Sequence, residues 1–182
     1  MVSSSLALLG IVCGVFWAEH LKAQDAKPTE LQVKAAYLSN FGRFVEWPDR
    51  ESEDPVEPFR VCVLGRDPFG SVLDKALAGE AVNRAPLTLL RISIPQEAVN
   101  CRVLFISSAE NSELNTILAA LDKACVLTVS DMPQFVKRGG MIQFVSAGGR
   151  VRFEVNLAAA ERVRLKLSSQ LLKLAIAVRR AP

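Results

Sequence analysis

Cysteine is the side chain of this sequence with the most chemistry open to it. The chain holds four, Cys13, Cys62, Cys101 and Cys125. Cys62 lies inside the apolar run Phe59 to Leu64, and Cys101 stands just before another, Arg102 to Ile106. Thiols at such positions either bridge or sit apart in a core as small apolar groups. A bridge between them would close a loop of about 40 residues and, on a chain-entropy account, stabilise the fold by roughly 4 kcal/mol. Cys125 then has no partner within the mature chain. It is either a small buried apolar residue at a strand start or the link of a homodimer.

Catalytic chemistry has little to draw on. The single histidine, His20, falls in an N-terminal segment that reads as an export signal. Without it no Ser–His or Cys–His pair can form. No metal-ligand spacing is present, and the acidic run from Glu51 to Glu57 lacks the calcium-loop pattern. The expectation is a chain with no catalytic residue, no metal and no cofactor.

Binding chemistry has two candidate places. Gly65-Arg66-Asp67-Pro68-Phe69-Gly70 follows a buried strand and opens a helix, where backbone N–H groups can meet an anion. It lacks the spacing of a dinucleotide fingerprint, so a tight capped turn is the plainer reading. Ser107-Ser108 and Ser130-Asp131 occupy equivalent strand ends. If those strands are parallel, Arg66, Asp67, Ser107, Ser130 and Asp131 line the edge where open α/β sheets hold ligands. The second place is aromatic. Tyr37, Phe41, Phe44 and Trp47 crowd one short segment. As core they need no explanation. As an exposed patch around Trp47 they would mark a protein contact, with Arg43 and Arg60 on its rim.

The elements that position these groups alternate. Val33, Tyr37, Phe41 and Phe44 recur at helical spacing, Thr29 and Gln32 fit a capping box, and Pro48 ends the run. Pro48 to Pro58 reads as a solvated acidic loop. Strands are predicted at Phe59 to Leu64, Leu87 to Ile92, Arg102 to Ile106 and Cys125 to Val129. Helices are predicted at Pro68 to Leu77, with Asp67 as N-cap, at Glu110 to Leu121, from Asp131 and Pro133, and at Ser168 to Val178. Met141 to Val145 and Arg150 to Val155 read as a hairpin about Ala147-Gly148-Gly149. This repetition predicts an α/β domain: a mostly parallel sheet flanked by helices, with an antiparallel edge hairpin.

Composition sets the outer bounds. Half of the 182 residues are apolar, enough for a sizeable core, and the net charge is +3. With basic residues scattered, nothing argues for nucleic acid. Leu6 to Ala18 is an apolar stretch of thirteen residues followed at once by Glu19, His20 and Lys22. A spanning helix needs about 20. The stretch reads as a signal-peptide core with cleavage after Ala23, or less well after Ala26, and an uncleaved anchor as the plainer alternative. Cys13 follows Val12 and so does not suit a lipoprotein signal. The expected divisions are residues 1–23 as signal, 24–58 as arm, first helix and acidic loop, and 59–182 as the remainder of one domain.

The wording of several segments goes further than their physics. They are Gln32 to Pro48 (QVKAAYLSNFGRFVEWP), Arg60 to Gly70 (RVCVLGRDPFG), Cys101 to Ser107 (CRVLFIS) and Leu127 to Asp131 (LTVSD). Gly139 to Ile142, Gly149 to Asn156 and Leu165 to Leu172 complete the series. In this order they resemble the YfiR family, periplasmic repressors of YfiN-type diguanylate cyclases. The resemblance implies that Cys62 and Cys101 pair. It implies a periplasmic binding module whose partners are the sensor domain of an inner-membrane diguanylate cyclase and a sequestering outer-membrane lipoprotein of the OmpA type. Release of the cyclase would raise cyclic di-GMP and favour biofilm. A periplasmic small-ligand-binding sensory protein is the alternative, since relatives carry the same domain fused to sensor kinases.

Overall fold

The computed structural model describes residues 27–48 and 57–180. The expected signal segment and the acidic run 49–56 lie outside the described residues.

Helix α1 is Glu30–Asn40. Its start is the predicted capping box. The Gln32 N–H donates to Thr29 Oγ1 at 3.2 Å, and the Thr29 N–H donates to Gln32 Oε1 at 2.7 Å. The helix ends earlier than its apolar spacing suggests. Phe41–Arg43 tighten into a 3-10 turn, and Val45–Glu46 become a two-residue strand, β1. Its buried face is also rotated from the expected one: Lys34, Ala35, Leu38 and Ser39 point inward, while Val33 and Tyr37 are half-buried.

The remaining elements follow in order: β2 (Phe59–Leu64), α2 (Ser71–Leu77), β3 (Ala81–Val82), β4 (Ala85–Ile92), β5 (Val103–Ile106), α3 (Leu114–Ala120), β6 (Leu127–Ser130), β7 (Ile142–Ala147), β8 (Arg150–Asn156), α4 (Leu157–Arg162), β9 (Lys166–Leu167), α5 (Ser169–Leu174) and β10 (Ala177–Arg179). One sheet of eight strands runs β10-β8-β7-β6-β5-β2-β4-β3. Pairing is parallel from β4 through β2, β5 and β6 to β7. β7 and β8 form the expected antiparallel hairpin, turning on Gly148 and Gly149 at positive φ. A separate two-stranded antiparallel sheet joins β1 to β9. The α/β class with a mostly parallel sheet is therefore as the sequence predicts.

Strand alternation divides the core. On β2, Phe59, Val61 and Val63 face a layer built by α1, α2 and the C-terminal elements. Cys62 and Leu64 face the other layer, with Leu114 and Ile117 of α3 and with Met132 and Phe135. Both faces of the central strands are covered, which is why they read as unbroken apolar runs.

Several expected elements are corrected. Asp67 does not cap a helix at Pro68; its Oδ1 accepts the Phe69 N–H at 2.7 Å in a local turn, and α2 opens three residues later. The segment from Asp131 and Pro133 is a chain of turns rather than a helix. The last helix stops at Leu174, because Ala177–Arg179 pair in parallel with β8 instead. The hairpin is thus one strand in from the sheet's end.

Candidate functional site

The fold places the two candidate regions at opposite ends of the parallel strands. β2, β5 and β6 end at Leu64, Ile106 and Ser130, so the loops holding Arg66, Asp67, Ser107, Ser130 and Asp131 do share one edge. Most of their polar groups, however, are held by other parts of the fold. Ser130 Oγ donates to the Ile106 carbonyl at 2.7 Å and accepts the Met132 N–H at 3.1 Å. Ser107 Oγ accepts the Ala109 N–H at 3.4 Å. Asp67 Oδ2 accepts from Arg91 Nε at 2.8 Å, and Arg91 also reaches Asp74 at 2.7 Å and the Gly70 carbonyl at 3.2 Å. Hydrogen bonding to Arg91 keeps the Asp74 carboxyl below its ordinary range and raises the guanidinium further. Glu110 lies across Gly65, where an added Cβ would strike its carboxylate. Arg66 alone of the five is exposed.

Asp131 is held by an ion pair from α1. Lys34 Nζ, with a side chain only 9% exposed, donates to Asp131 at 2.8 Å and to Glu30 at 2.7 Å. Burial alone would lower this ammonium. The Asp131 and Glu30 carboxylates outweigh that and hold it above its usual value. The cluster fixes α1 to the end of β6. Most of the polar groups at this edge are thus already held by other described residues.

The aromatic segment separates into two environments. Tyr37 and Phe41 stack at 5.9 Å between centroids and meet Phe144 and Phe153 of the hairpin at 5.4 to 6.1 Å. Phe41 is 1% exposed and belongs to the core. Trp47 lies at the other end of the strands, with its ring edge-on to Phe59 at 5.3 Å and Arg102 Cζ 5.8 Å from its centroid. A contact made by this segment is therefore made by half-buried Tyr37, Phe44 and Trp47, with Phe41 packed behind them.

Trp47 forms one wall of an open cleft of about 780 Å³. The floor is Val99, Cys101, Arg102 and Cys125, at the starts of β5 and β6. The far wall is Glu161, Arg164, Leu165 and Lys166. Pairing of β1 with β9 brings Glu46 beside Lys166 and so closes the cleft's rim. Trp47 Nε1 is buried without a hydrogen-bond partner among the described residues, an arrangement that costs stability. Arg164 sits at φ 62°, a left-handed position after α4 that glycine usually takes. Sequence reading missed Arg102, Arg164 and Lys166. Their only signal is charge at the ends of apolar runs, and the pairing that unites them joins residues more than a hundred positions apart.

Cys62 and Cys101 form a disulfide with Cα atoms 6.0 Å apart, and Cys125 is a free, half-buried thiol. Among the described residues no group of three or more His, Cys, Asp or Glu is arranged to hold a metal ion. No helix of the described residues is long and apolar enough to cross a membrane.

A disulfide-stapled α/β domain with a tryptophan-walled cleft at the foot of its sheet is the class these features define. The chain belongs to the YfiR/HmsC-like family (DUF4154), matched over residues 31–176. No curated protein gives a significant match. Among solved structures, the fold is similar to a conserved domain protein from Vibrio cholerae O1 biovar El Tor, with a TM-score of 0.52 and 12% identity over 66% of this chain and 54% of that one. It is also similar to an ABC domain from Streptococcus pneumoniae solved in complex with L-Trp, with a TM-score of 0.51 and 10% identity over 79% of this chain and 60% of that one. This chain thus spans little more than half the length of either. At these identities the likeness speaks for fold alone.

Proposed function

We propose that this protein is a periplasmic regulatory binding protein that holds an inner-membrane diguanylate cyclase in its inactive state. Family membership supports the regulatory reading, and the disulfide suits an oxidising compartment. The observation that carries the contact surface is the unpartnered indole N–H of Trp47 on an open cleft. Because that N–H is itself buried, a partner carbonyl or carboxylate would reach it only as the indole turns outward on binding. Physically, repression is a population shift. The domain binds the cyclase's inactive state more tightly and so favours it by the difference in affinity. An OmpA-type lipoprotein would compete by sequestering the free repressor.

Trp47→Phe tests this reading. It keeps a ring against Phe59 and removes a donor that no described residue accepts, so its melting curve should lie close to wild type. Cyclic di-GMP should rise, because binding loses about 2 kcal/mol or more. A stable Trp47→Phe protein with wild-type cyclic di-GMP rejects Trp47 as a contact.

The second reading, a small-ligand sensor, is favoured by the same cleft. It is large enough for a drug-sized molecule. On this reading a small ligand would bind at the foot of the sheet, with the loop edge at Arg66 and Asp67 as the other candidate place.

A further inference from the structure

We propose that this domain forms a two-fold homodimer by pairing the open edge of β4 with the same edge of a second copy, which joins the two eight-stranded sheets into one. β4 is open for most of its length, because its outer neighbour β3 pairs only with Ala85 and Pro86. The direction of its peptide groups is fixed at both ends. The Leu87 N–H donates outward to the Glu80 carbonyl at 2.9 Å, and the Ile92 carbonyl accepts inward from the Gly65 N–H, just past β2, at 3.2 Å. Peptide groups alternate sides along a strand. Thr88, Leu90 and Ile92 therefore bond toward β2, while Leu89 and Arg91 present N–H and C=O outward. The next outward donor, the Ser93 N–H, is taken by Glu97 Oε2 at 3.0 Å. Among the described residues no strand pairs with Leu89 or Arg91 from outside.

This stretch of edge is complementary to itself, which makes a second copy its occupant. With the two-fold axis at Leu90, Leu89 of one copy lies opposite Arg91 of the other, and each such pair exchanges both N–H···O bonds. Leu87 then meets Ser93 of the other copy. Both of those N–H groups are already bonded within their own chain, so pairing strands no donor. Leu90 faces its counterpart in the non-bonded register, where side chains come closest. It is 42% exposed, and Ile94 beyond it is 51% exposed, so both copies bring apolar surface to the axis. Arg91 is the only charge from Leu87 to Ile92, and Asp67 at 2.8 Å and Asp74 at 2.7 Å already neutralise it. Open edges are usually blunted by lysine, proline or a bulge. Leu87 to Ile92 holds no lysine or proline and pairs with β2 residue for residue, without a bulge.

Purified Cys125→Ser protein tests the dimer, because it removes the one free thiol among the described residues that could tie two copies together. Sedimentation from about 1 to about 100 µM should show a reversible monomer–dimer equilibrium. Leu90→Arg in this background sets two cations directly opposite each other on the axis and should weaken the dimer by about tenfold or more. Its melting curve in dilute, monomeric solution should stay close to that of the parent, because the side chain is already 42% exposed. Leu90→Cys in the same background, under mild oxidation, should link position 90 of one copy to position 90 of the other. A non-bonded antiparallel pair holds its Cα atoms about 4.5 Å apart, inside the roughly 4.4–6.8 Å that a disulfide accepts. Thr88→Cys should not link to itself, because the register carries it opposite Ile92 of the other copy. Protein that stays monomeric at about 100 µM overturns the proposal. So does a dimer that Leu90→Arg leaves intact, or linking that is as strong at position 88 as at position 90.

Discussion

Phe41→Ala is expected to destabilise the domain by about 3–5 kcal/mol. The ring is 1% exposed and packs at once against Tyr37, Phe144 and Phe153, so it joins the first helix to the hairpin. Chemical denaturation should show a lower midpoint with an unchanged slope. Repression should fail in cells only as far as folded protein is lost. A Phe41→Ala protein that melts like wild type but no longer represses would make Phe41 a contact residue and contradict the packing described here.

Cys62→Ser is expected to cost on the order of 2–5 kcal/mol. The bridge closes a long loop, with a sequence separation of 39, and it fixes the turn under the cleft to the central strand. Added reductant should lower the melting temperature of the wild-type protein and leave that of Cys62→Ser unchanged. If reductant shifts neither, the bridge carries no stability and the chain-entropy argument does not apply. The same experiment links function to compartment. On the proposed function, reducing conditions should destabilise the domain and release the cyclase.

What the sequence shows of this fold depends on how local each signal is. The capping box at Thr29 and Gln32 was legible because both partners lie within one helical turn. The central strands were legible because burial on both faces leaves an uninterrupted apolar run at Phe59 to Leu64. The end of the chain was not. Leu171 to Val178 keeps a helical apolar pattern with no glycine or proline to break it. Only pairing with β8, a contact across the fold, draws Ala177–Arg179 into a strand. Helix α4 went unread although Asn156 caps it through the Ala159 N–H and three alanines follow. The run of the preceding strand into Asn156 hid the boundary. Of the candidate site, Trp47 was legible from its type and its place beside a proline. The cleft around it was not, because its walls come from β1, β5, β6 and the α4–β9 turn. The loop edge illustrates the opposite case. Its residues do share one end of the sheet, but Arg91, Lys34 and Glu110, which occupy it, cannot be placed there from sequence spacing.

The central claim is that this domain restrains a diguanylate cyclase, and intracellular cyclic di-GMP measured after deleting the gene and restoring it tests that claim most directly. Deletion should raise cyclic di-GMP. The wild-type gene supplied in trans should return it to the starting level, and a gene encoding Trp47→Phe should not. Cyclic di-GMP that stays unchanged on deletion, in cells shown to contain the folded protein beforehand, would contradict the account.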